Sequence, residues 1–255
     1  MNNMTLYVNR DSPVHRVDPL NKLLFLFISI TSTYIVANHL AVFGILLFTF
    51  FILMIGNVFK FILPVIGVSF LLIASIIIVQ GFFHPDRVTV LFEIGPIAIY
   101  KEGFLIAFLI TLRVVNMVAA FGVLILTTKP DDLVEELLQK GLSPKFGYVL
   151  LSVLQIIPQM VALTGKITDA QRARGMETEG GIWKRFKSFL PLLGPVVLNS
   201  LTETRERSIA LEIRGFNAKG NRTFLYEREN YRYSMPLRIA LIVFFLAVIV
   251  WRVMS

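Results

Sequence analysis

Five long apolar stretches constrain this chain more than any other feature of its sequence. A helix needs about 20 mostly apolar residues to cross the hydrocarbon core of a bilayer, and each stretch approaches that length. Only 16% of the 255 residues are charged, whereas soluble domains carry about 25%. The sequence therefore predicts an all-α, polytopic membrane protein with about five transmembrane helices. The predicted spans cover residues 20–37, 40–55, 61–79, 104–126 and 237–250.

The region between the fourth and fifth spans has a different composition. From Lys166 to Arg232 it holds 13 of the 25 Lys and Arg residues of the chain, together with 8 acidic residues. Such a charged stretch is unsuited to the hydrocarbon core of a bilayer. Its hydrophobic pattern is helical, and a glycine follows each predicted helix. These helices are predicted over 130–140, 145–174 and 183–214.

The two longest of these helices each begin with an apolar half, 148–163 and 190–201. Their length suits a buried or membrane-surface helix better than a span, and a further pair of spans is the alternative. The chain is thus predicted to divide into three parts. These are a membrane part (1–126), a cytoplasmic domain of long amphipathic helices (127–236) and a C-terminal transmembrane helix (237–255).

The placement of basic residues predicts how the chain is oriented in the cell membrane. Cytoplasmic segments of membrane proteins are enriched in Lys and Arg. With five spans and a cytoplasmic N-terminus, the basic region lies inside together with Arg10, Arg16, Lys22 and Lys60. The basic residues left outside are Arg87, Lys101 and Arg252. The formal net charge of +8 is therefore interpreted as a cytoplasmic membrane face and not as a nucleic-acid site.

A short β-hairpin is predicted between the third and fourth spans. Apolar and β-branched residues at 88–92 and 97–100 flank the turn-forming pair Gly95-Pro96. Short runs of this composition on either side of a turn signal are typical of paired strands.

The most specific feature is an internal repeat near the ends of the two long helices. Residues 170–175 and 210–215 share the pattern A-x-x-x-R-G at an offset of 40 residues. A glycine at the C-terminal cap adopts the left-handed conformation and ends the helix, while an arginine in the last turn offers a planar fork of donors. An isolated Arg-Gly pair is most often an ordinary helix cap. Two matched copies favour a partner with two equivalent sites, such as a pseudo-symmetric dimer.

Four motifs follow one another between Val17 and Phe216. They are VDPLNKL at 17–23, Arg113 followed by LTTKPDDL at 126–133, GLSP at 141–144, and the two Arg-Gly repeats. This ordered set resembles the transmembrane T component of energy-coupling factor (ECF) transporters, the EcfT/CbiQ-like family. The family's opening motif is L-D-P-R-x-K-L, so this chain departs from the pattern at Leu20, where Arg is usual.

The resemblance implies a transport subunit that does not hydrolyse ATP itself. In the family, paired X-R-X segments end long coupling helices that seat in grooves of two ABC-type ATPase subunits, a homo- or heterodimer. The membrane part holds a small substrate-binding S component for uptake of a vitamin, a vitamin precursor or a transition metal. The ATPase-coupling residues would be Ala173, Arg174, Gly175, Ile213, Arg214 and Gly215. The platform for the S component would be Val149, Leu150, Val153, Leu154, Ile157, Leu192, Val196 and Val197.

Five further residues are expected to have structural roles. Asp18 before Pro19 is predicted to cap the first span, and Pro130 with Asp131 is predicted to begin the helix that follows the fourth span. Arg113 lies inside the fourth span, where an ionisable residue is by default a functional candidate. The interpretation we favour is that Arg113 binds backbone carbonyls or Asn116 and locks the helix packing.

Two other classes of function are weighed against transport. An intramembrane enzyme acting on a lipid or small molecule would need catalytic groups, but the sequence contains no H-E-x-x-H, G-x-S-x-G, P-loop or paired transmembrane aspartates. A membrane-anchored nucleic-acid binder would need segregated basic residues, whereas acidic residues are interleaved in the basic region. With no Cys and three distant histidines, no metal site or cofactor is expected.

Overall fold

The computed structural model describes residues 6–83, 90–94, 97–176, 181–218 and 234–254. Within these ranges the chain forms eight helices and one two-stranded antiparallel sheet. In chain order these are α1 (Pro19–Ile35), α2 (His39–Ile55), α3 (Phe59–Phe83), β1 (Val90–Ile94), β2 (Ile97–Tyr100), α4 (Lys101–Thr127), α5 (Pro130–Gln139), α6 (Pro144–Ala173), α7 (Ile182–Ile213) and α8 (Ser234–Met254). The prediction of an all-α, polytopic membrane protein is confirmed, with one small hairpin as the exception that the sequence also predicted.

The hairpin pairs β1 with β2 in antiparallel register, with Ile94 opposite Ile97 at the turn and a register shift between Val90 and Phe92. Helix α4 begins at the residue after β2, so it starts three residues before the predicted span. Parts of the predicted loop, Arg87, Val88 and the Gly95-Pro96 turn among them, lie outside the described residues.

Four of the described helices are long and apolar enough to cross a membrane. They are α3 over Phe59–Gln80, α4, α6 and α8. Helices α1 and α2 have 17 residues each, about 26 Å at 1.5 Å per residue, which is near the lower limit for a span. By length and composition α6 is therefore a candidate span, although the sequence favoured a surface position. The 32-residue α7 is absent from the candidate spans among the described residues.

The chain divides into two compact units. Residues 1–142 with 230–255 form the larger unit, and residues 143–229 form the smaller unit. Helix α5, which we expected in the cytoplasmic domain, packs against α1 in the larger unit. The functional division at residues 126 and 236 stays a prediction.

Helix α4 is the centre of the larger unit and contacts α1, α2 and α3. Its small residues allow close packing: a Cβ added at Gly122 would come within 3.1 Å of the Ile62 Cγ1 atom on α3. Ala119 and Val123 of α4 lie in the same buried cluster as Leu53. Many other apolar side chains are exposed, especially on α3, as expected for surfaces that contact lipid.

Two helix limits differ from the predicted spans at places where distant residues make contact. Helix α1 ends at Ile35 and not at residue 37, and Arg113 of α4 binds carbonyls at that end. The described part of α8 includes Ser234, three residues before the predicted span, and Ser234 is bonded to Asp18 and Asn21 of the α1 start. Both partners are far away in the sequence.

Candidate functional site

Both copies of the Arg-Gly repeat end their helices with the same backbone motif. Gly175 and Gly215 have φ angles of +89° and +70°, in the left-handed region that glycine adopts without steric cost. The amide of Met176 donates to the Gln171 carbonyl at 3.0 Å, and the amide of Phe216 makes the equivalent bond at 2.9 Å. This bond from the second residue after the cap is the mark of the Schellman motif. The two helices therefore stop abruptly at their arginines.

Arg174 and Arg214 are the C-cap residues of α6 and α7. Both side chains are exposed. Among the described residues, neither guanidinium group has a hydrogen-bond or ion-pair partner. Each helix end therefore presents a donor fork that is available to an acceptor on another chain.

Helices α6 and α7 form an antiparallel pair. The ring of Tyr148, at the start of α6, lies 5.2 Å from the ring of Phe216, just beyond the end of α7. Further along, Arg207 of α7 donates to Gln159 Oε1 of α6 at 2.6 Å. Residue numbers rise along α6 as they fall along the facing part of α7, so the two Arg-Gly ends lie at opposite ends of the pair.

The contact between Met160 and Ser200 relates the two copies of the repeat. The Ser200 Oγ atom lies 3.2 Å from Met160 Sδ, and 40 positions separate these residues, as they separate Arg174 from Arg214. In an antiparallel pair, contact between equivalent positions places a local two-fold axis between them. Each arginine lies 14 residues beyond this contact, about 21 Å along its helix. The axis thus exchanges two arginines that are about 40 Å apart.

The residues predicted to form the S-component platform lie on both sides of this axis. The α6 members precede Met160 and the α7 members precede Ser200, so antiparallel packing places them in different halves of the pair. The α6 set and the α7 set therefore flank the axis, and their role stays a prediction. The exposed members are Val149, Leu150, Val153, Ile157 and Val197, and the half-buried members are Leu154, Leu192 and Val196.

Comparison with known proteins decides the family. A family model described as CbiQ, cobalt transport protein, matches residues 10–225. Relatives named energy-coupling factor transporter transmembrane protein EcfT align over most of the chain. The protein from Streptococcus equi subsp. equi is 31% identical over 93% of this chain and 91% of that protein. The proteins from Streptococcus thermophilus and Lactococcus lactis subsp. cremoris are 32% and 28% identical, covering 85% and 100% of this chain and 86% and 100% of those proteins. The chain belongs to the CbiQ/EcfT family.

As a CbiQ/EcfT family member, the chain is a multi-pass transmembrane component of an energy-coupling factor transporter. The family predicted from the ordered motifs is therefore confirmed, and so is the membrane location. The first motif at 17–23 and the fourth-span motif, Arg113 with 126–133, lie in the larger unit, whereas GLSP at 141–144 crosses the limit between the two units at residue 142.

The first family motif ties the start of α1 to the start of α8. Asp18 is fully buried, and its carboxylate caps α1 by accepting the amide two residues on at 2.8 Å, with Pro19 in the first turn. The other carboxylate oxygen accepts the Ser234 hydroxyl at 2.7 Å and pairs with Arg238 at 3.3 Å. Asn21 donates to the Ser234 carbonyl at 2.8 Å and accepts from Arg238 at 3.1 Å. Sequence reasoning found the cap but missed Ser234 and Arg238.

Lys22 connects the same motif to the exit of α4. Its side chain is buried, and Nζ donates to the Thr127 carbonyl at 2.8 Å. That carbonyl is one of the last in α4, where helical partners are lacking and positive charge is favourable. The N-terminal segment adds a bond from the Val8 amide to the Leu126 carbonyl at 3.0 Å. Two motifs that are a hundred residues apart in sequence therefore meet at one junction.

His15 holds the N-terminal segment in place. Its Nδ1 lies 2.7 Å from Ser12 Oγ and its Nε2 lies 2.9 Å from the Val8 carbonyl oxygen. A neutral imidazole with its proton on Nε2 donates to the carbonyl and accepts from the hydroxyl. Burial lowers the pKa of His15 below its usual value of 6.5, and the charge of Lys22 acts in the same direction.

Arg113 binds the C-terminal end of α1. Its Nε donates to the Thr33 carbonyl at 2.9 Å and its NH2 group donates to the Val36 carbonyl at 3.2 Å. The guanidinium carbon lies 5.2 Å from the centre of the Tyr34 ring. The last carbonyls of a helix lack intrahelical partners and carry partial negative charge. Arg113 supplies both the donors and the countercharge.

Asn116, one turn further along α4, has partners other than Arg113. It is fully buried, donates to Ser29 Oγ of α1 at 3.0 Å, and accepts from Thr49 Oγ1 of α2 at 2.9 Å. Such bonds between helices hold membrane bundles together at about 0.6 kcal/mol each on average.

Pro130 takes the first turn of α5, as predicted, with Asp131 and Asp132 beside it. The N-cap is Lys129, whose side chain makes no capping bond. The two acids in the first turn are favourable at the positive dipole end of the helix. Within the described ranges no group of three or more His, Asp or Glu residues is placed to hold a metal ion.

Proposed function

We propose that the chain couples ATP hydrolysis by two separate ABC-type ATPase subunits, a homo- or heterodimer, to uptake through a small integral-membrane S component. The cargo class is a vitamin, a vitamin precursor or a transition metal. The observation that carries the proposal is the pair of arginine-ended helices exchanged by a local two-fold axis. The sequence has no P-loop, so ATP binding is assigned to the partner chains.

The separation of the arginines supports a dimeric partner. A globular chain of about 250 residues has a radius of gyration of about 18 Å, so its diameter is about 45 Å. The centres of two such subunits in contact are thus about 45 Å apart. The two arginines, about 40 Å apart along the helix pair, match that spacing, and a two-fold dimer would offer the same groove to both.

The local shape of each end suits insertion into a groove. Ala173 and Gly175 flank Arg174, so little bulk surrounds its guanidinium group, whereas Arg214 lies between Gly215 and the exposed side chain of Ile213. Arginine is among the residues that most often dominate binding energy at protein interfaces. In this proposal each guanidinium group donates hydrogen bonds to carbonyl or carboxylate oxygens of one ATPase subunit.

The proposal requires the helix pair to lie along the membrane surface. Because the arginines are at opposite ends of an antiparallel pair, both face the cytoplasm only if neither helix crosses the bilayer. Basic residues support this arrangement, since Lys166 and Arg172 accompany Arg174 while Arg205 and Arg207 precede Arg214. It also favours a cytoplasmic N-terminus, because Arg10, Arg16 and Lys60 then share that side.

The chain contains no cysteine, so this orientation is measurable with single cysteines. We expect Ala173→Cys and Ile213→Cys both to react with a membrane-impermeant maleimide in inside-out vesicles and neither to react in right-side-out vesicles. Labelling of the two positions from opposite sides would show that α6 or α7 crosses the membrane and would refute the proposal.

The exposed apolar residues on the two sides of the axis are proposed to seat the S component. Val149 and Val153 share one face of α6, and Val197 of α7 is exposed on the other side of the axis. A surface helix that carries apolar residues on one side and charges beyond them can contact a membrane-embedded partner and a cytoplasmic partner at once. Substrate choice then belongs to the S component.

Substitution of the two arginines tests the proposal. We expect Arg174→Ala or Arg214→Ala to weaken ATPase association at least about tenfold, because loss of an interface arginine of this kind costs about 2 kcal/mol. The double variant should lose transport while its expression stays at the wild-type level. Arg205→Ala is the control, since Arg205 is also exposed on α7 but lies before the helix end. Full ATPase stoichiometry in the purified double variant would overturn the assignment.

A further inference from the structure

The two Arg-Gly ends have the same backbone but different charges beside them. The local two-fold axis relates residues that are 40 positions apart. At two of these related positions the charge is reversed, since Lys166 corresponds to Glu206 and Arg172 corresponds to Glu212. All four side chains are exposed, and each lies at most eight residues before the arginine of its helix end, about 12 Å along the helix. The symmetry of the backbone is therefore not kept by the surface charge.

The total charge of the two helix ends differs in the same direction. Residues 163–176 carry three basic side chains and one acidic side chain, a formal charge of +2. The equivalent residues 203–216 carry three basic and three acidic side chains, a formal charge of zero. One of those three basic side chains, Arg207, is already bonded to Gln159 and Glu203. The α6 end is therefore complementary to an acidic surface, whereas the α7 end is not.

Helix stability does not explain the carboxylate at the α7 end. The C-terminal end of a helix carries partial negative charge, so a basic residue in the last turn is favourable and an acidic residue is unfavourable. Arg172 in the last turn of α6 follows this rule. Glu212 is the last residue but one of α7, and the last turn of that helix has no basic residue. A charge placed against the helix dipole indicates a contact outside the helix.

The residue before each arginine also differs in size. Ala173 precedes Arg174, whereas Ile213 precedes Arg214 and is 82% exposed. An isoleucine needs space that an alanine does not, so a groove that closes tightly around the α6 end would reject the α7 end by steric clash. A groove with a matching apolar pocket would instead gain contact area from Ile213.

We infer that the two ends bind ATPase grooves that are equivalent in position but different in chemistry. The groove for the α6 end has carboxylates at its rim, which pair with Lys166 and Arg172. The groove for the α7 end has basic residues at its rim, beside Glu206 and Glu212, and an apolar pocket for Ile213. Opposite charges direct each end to its own groove, and like charges reject the exchanged orientation. The inference rests on the coupling function proposed above, and it selects a heterodimer whose two subunits this chain distinguishes.

Identification of the ATPase captured at each end tests the inference. The chain has no cysteine, and Ala170 and Ala210 are exposed at equivalent positions, one turn before each arginine. The full-length Ala170→Cys or Ala210→Cys chain would be purified with its ATPases and cross-linked with a short thiol-to-amine reagent, and the captured subunit identified by peptide mass. We expect the two positions to capture different subunits, each with a preference of at least about tenfold.

Exchange of the flanking side chains should exchange the captured subunits. We expect each cysteine then to capture the subunit that the other position captures in the unexchanged chain. The matched control changes the four charged residues but keeps the sign of every charge, so it should keep the original pattern of capture. The exchange variant carries Lys166→Glu, Arg172→Glu, Ala173→Ile, Glu206→Lys, Glu212→Arg and Ile213→Ala. The control carries Lys166→Arg, Arg172→Lys, Glu206→Asp and Glu212→Asp.

Glu206→Lys with Glu212→Arg serves if the full exchange assembles poorly. These two changes make both ends basic, so capture at position 210 should shift at least about tenfold toward the subunit that position 170 captures. Capture of the same subunit at both positions of the unexchanged chain, or an unaltered pattern in the charge variants, would overturn the inference. Either result would leave the coupling role standing, whereas capture of no ATPase at either position would refute that role and the inference with it.

Discussion

Lys22 in the first turns of α1 donates to the carbonyl of Thr127 at the end of α4 at 2.8 Å. Four residues earlier, Asp18 binds Ser234 and Arg238 at the start of α8. The ends of three helices therefore meet around one short motif, directly before the start of α5. This junction holds together the start of α1, the end of α4 and the start of the described part of α8.

We predict that Asp18→Asn destabilises the larger unit. An asparagine keeps one oxygen to cap α1. It removes the charge that pairs with Arg238 and one of the two acceptor oxygens, so we expect the free energy of unfolding to fall by about 2 kcal/mol. Thermal unfolding in detergent should then shift downward by about 5 °C. Asp11→Asn is the control, because Asp11 pairs with Arg16 at an exposed site. Similar melting of both variants would show that the junction adds no stability.

Arg113→Leu should destabilise the chain without affecting coupling. The substitution removes two charge-assisted bonds to Thr33 and Val36, at about 1.5–3 kcal/mol each. Arg113→Lys should give an intermediate loss of stability, since an ammonium group is a point charge and cannot reproduce the planar arrangement of guanidinium donors. Thermal unfolding measures the loss, and ATPase stoichiometry per folded molecule should remain unchanged. A variant that melts normally but fails in transport would assign Arg113 a functional role instead.

The N-terminal segment should loosen as the pH falls below 6.5. The pKa of His15 is lowered in the folded chain, so the unfolded segment binds a proton more readily than the folded one does. His15 therefore stabilises the folded segment fully at pH values above 6.5, the pKa of the unfolded segment. This stabilisation is lost as the pH falls from 6.5 through the lowered pKa of the folded segment.

Hydrogen–deuterium exchange, corrected for the intrinsic effect of pH, measures this loosening at the Val8 amide. His15→Gln keeps a side-chain donor but does not titrate, so its protection should not change across the same range. Equal protection of the wild-type segment above and below pH 6.5 would contradict the role assigned to His15.

Local features of the fold were predictable from the sequence. The capping pair Asp18-Pro19 and the stops at Gly141, Gly175 and Gly215 follow from backbone preferences of a few adjacent residues, and the structure places helix boundaries at these positions. The hairpin was also predicted, because its turn signal lies between two short apolar runs. The ordered motifs pointed to the family before any contact was known.

Contacts between distant residues were not predictable in the same way. Nothing near Ser234 indicates that it binds Asp18, 216 positions away, and nothing near Arg113 indicates which carbonyls it binds. The sequence does contain one indication of the Met160–Ser200 contact, because the spacing of these residues equals the offset of the repeat. That signal becomes informative only once α6 and α7 are known to be antiparallel, which depends on tertiary packing.

Arg174 and Arg214 are proposed to contact two different ATPase subunits at the same time. Because the chain has no native cysteine, Ala173→Cys and Ile213→Cys can each be cross-linked to the assembled ATPases with a short bifunctional reagent. We predict that each single variant captures one ATPase subunit and that the double variant captures two on one chain, as read by the mass of the product. Capture of only one subunit by the double variant, or of none at either position, would contradict the account.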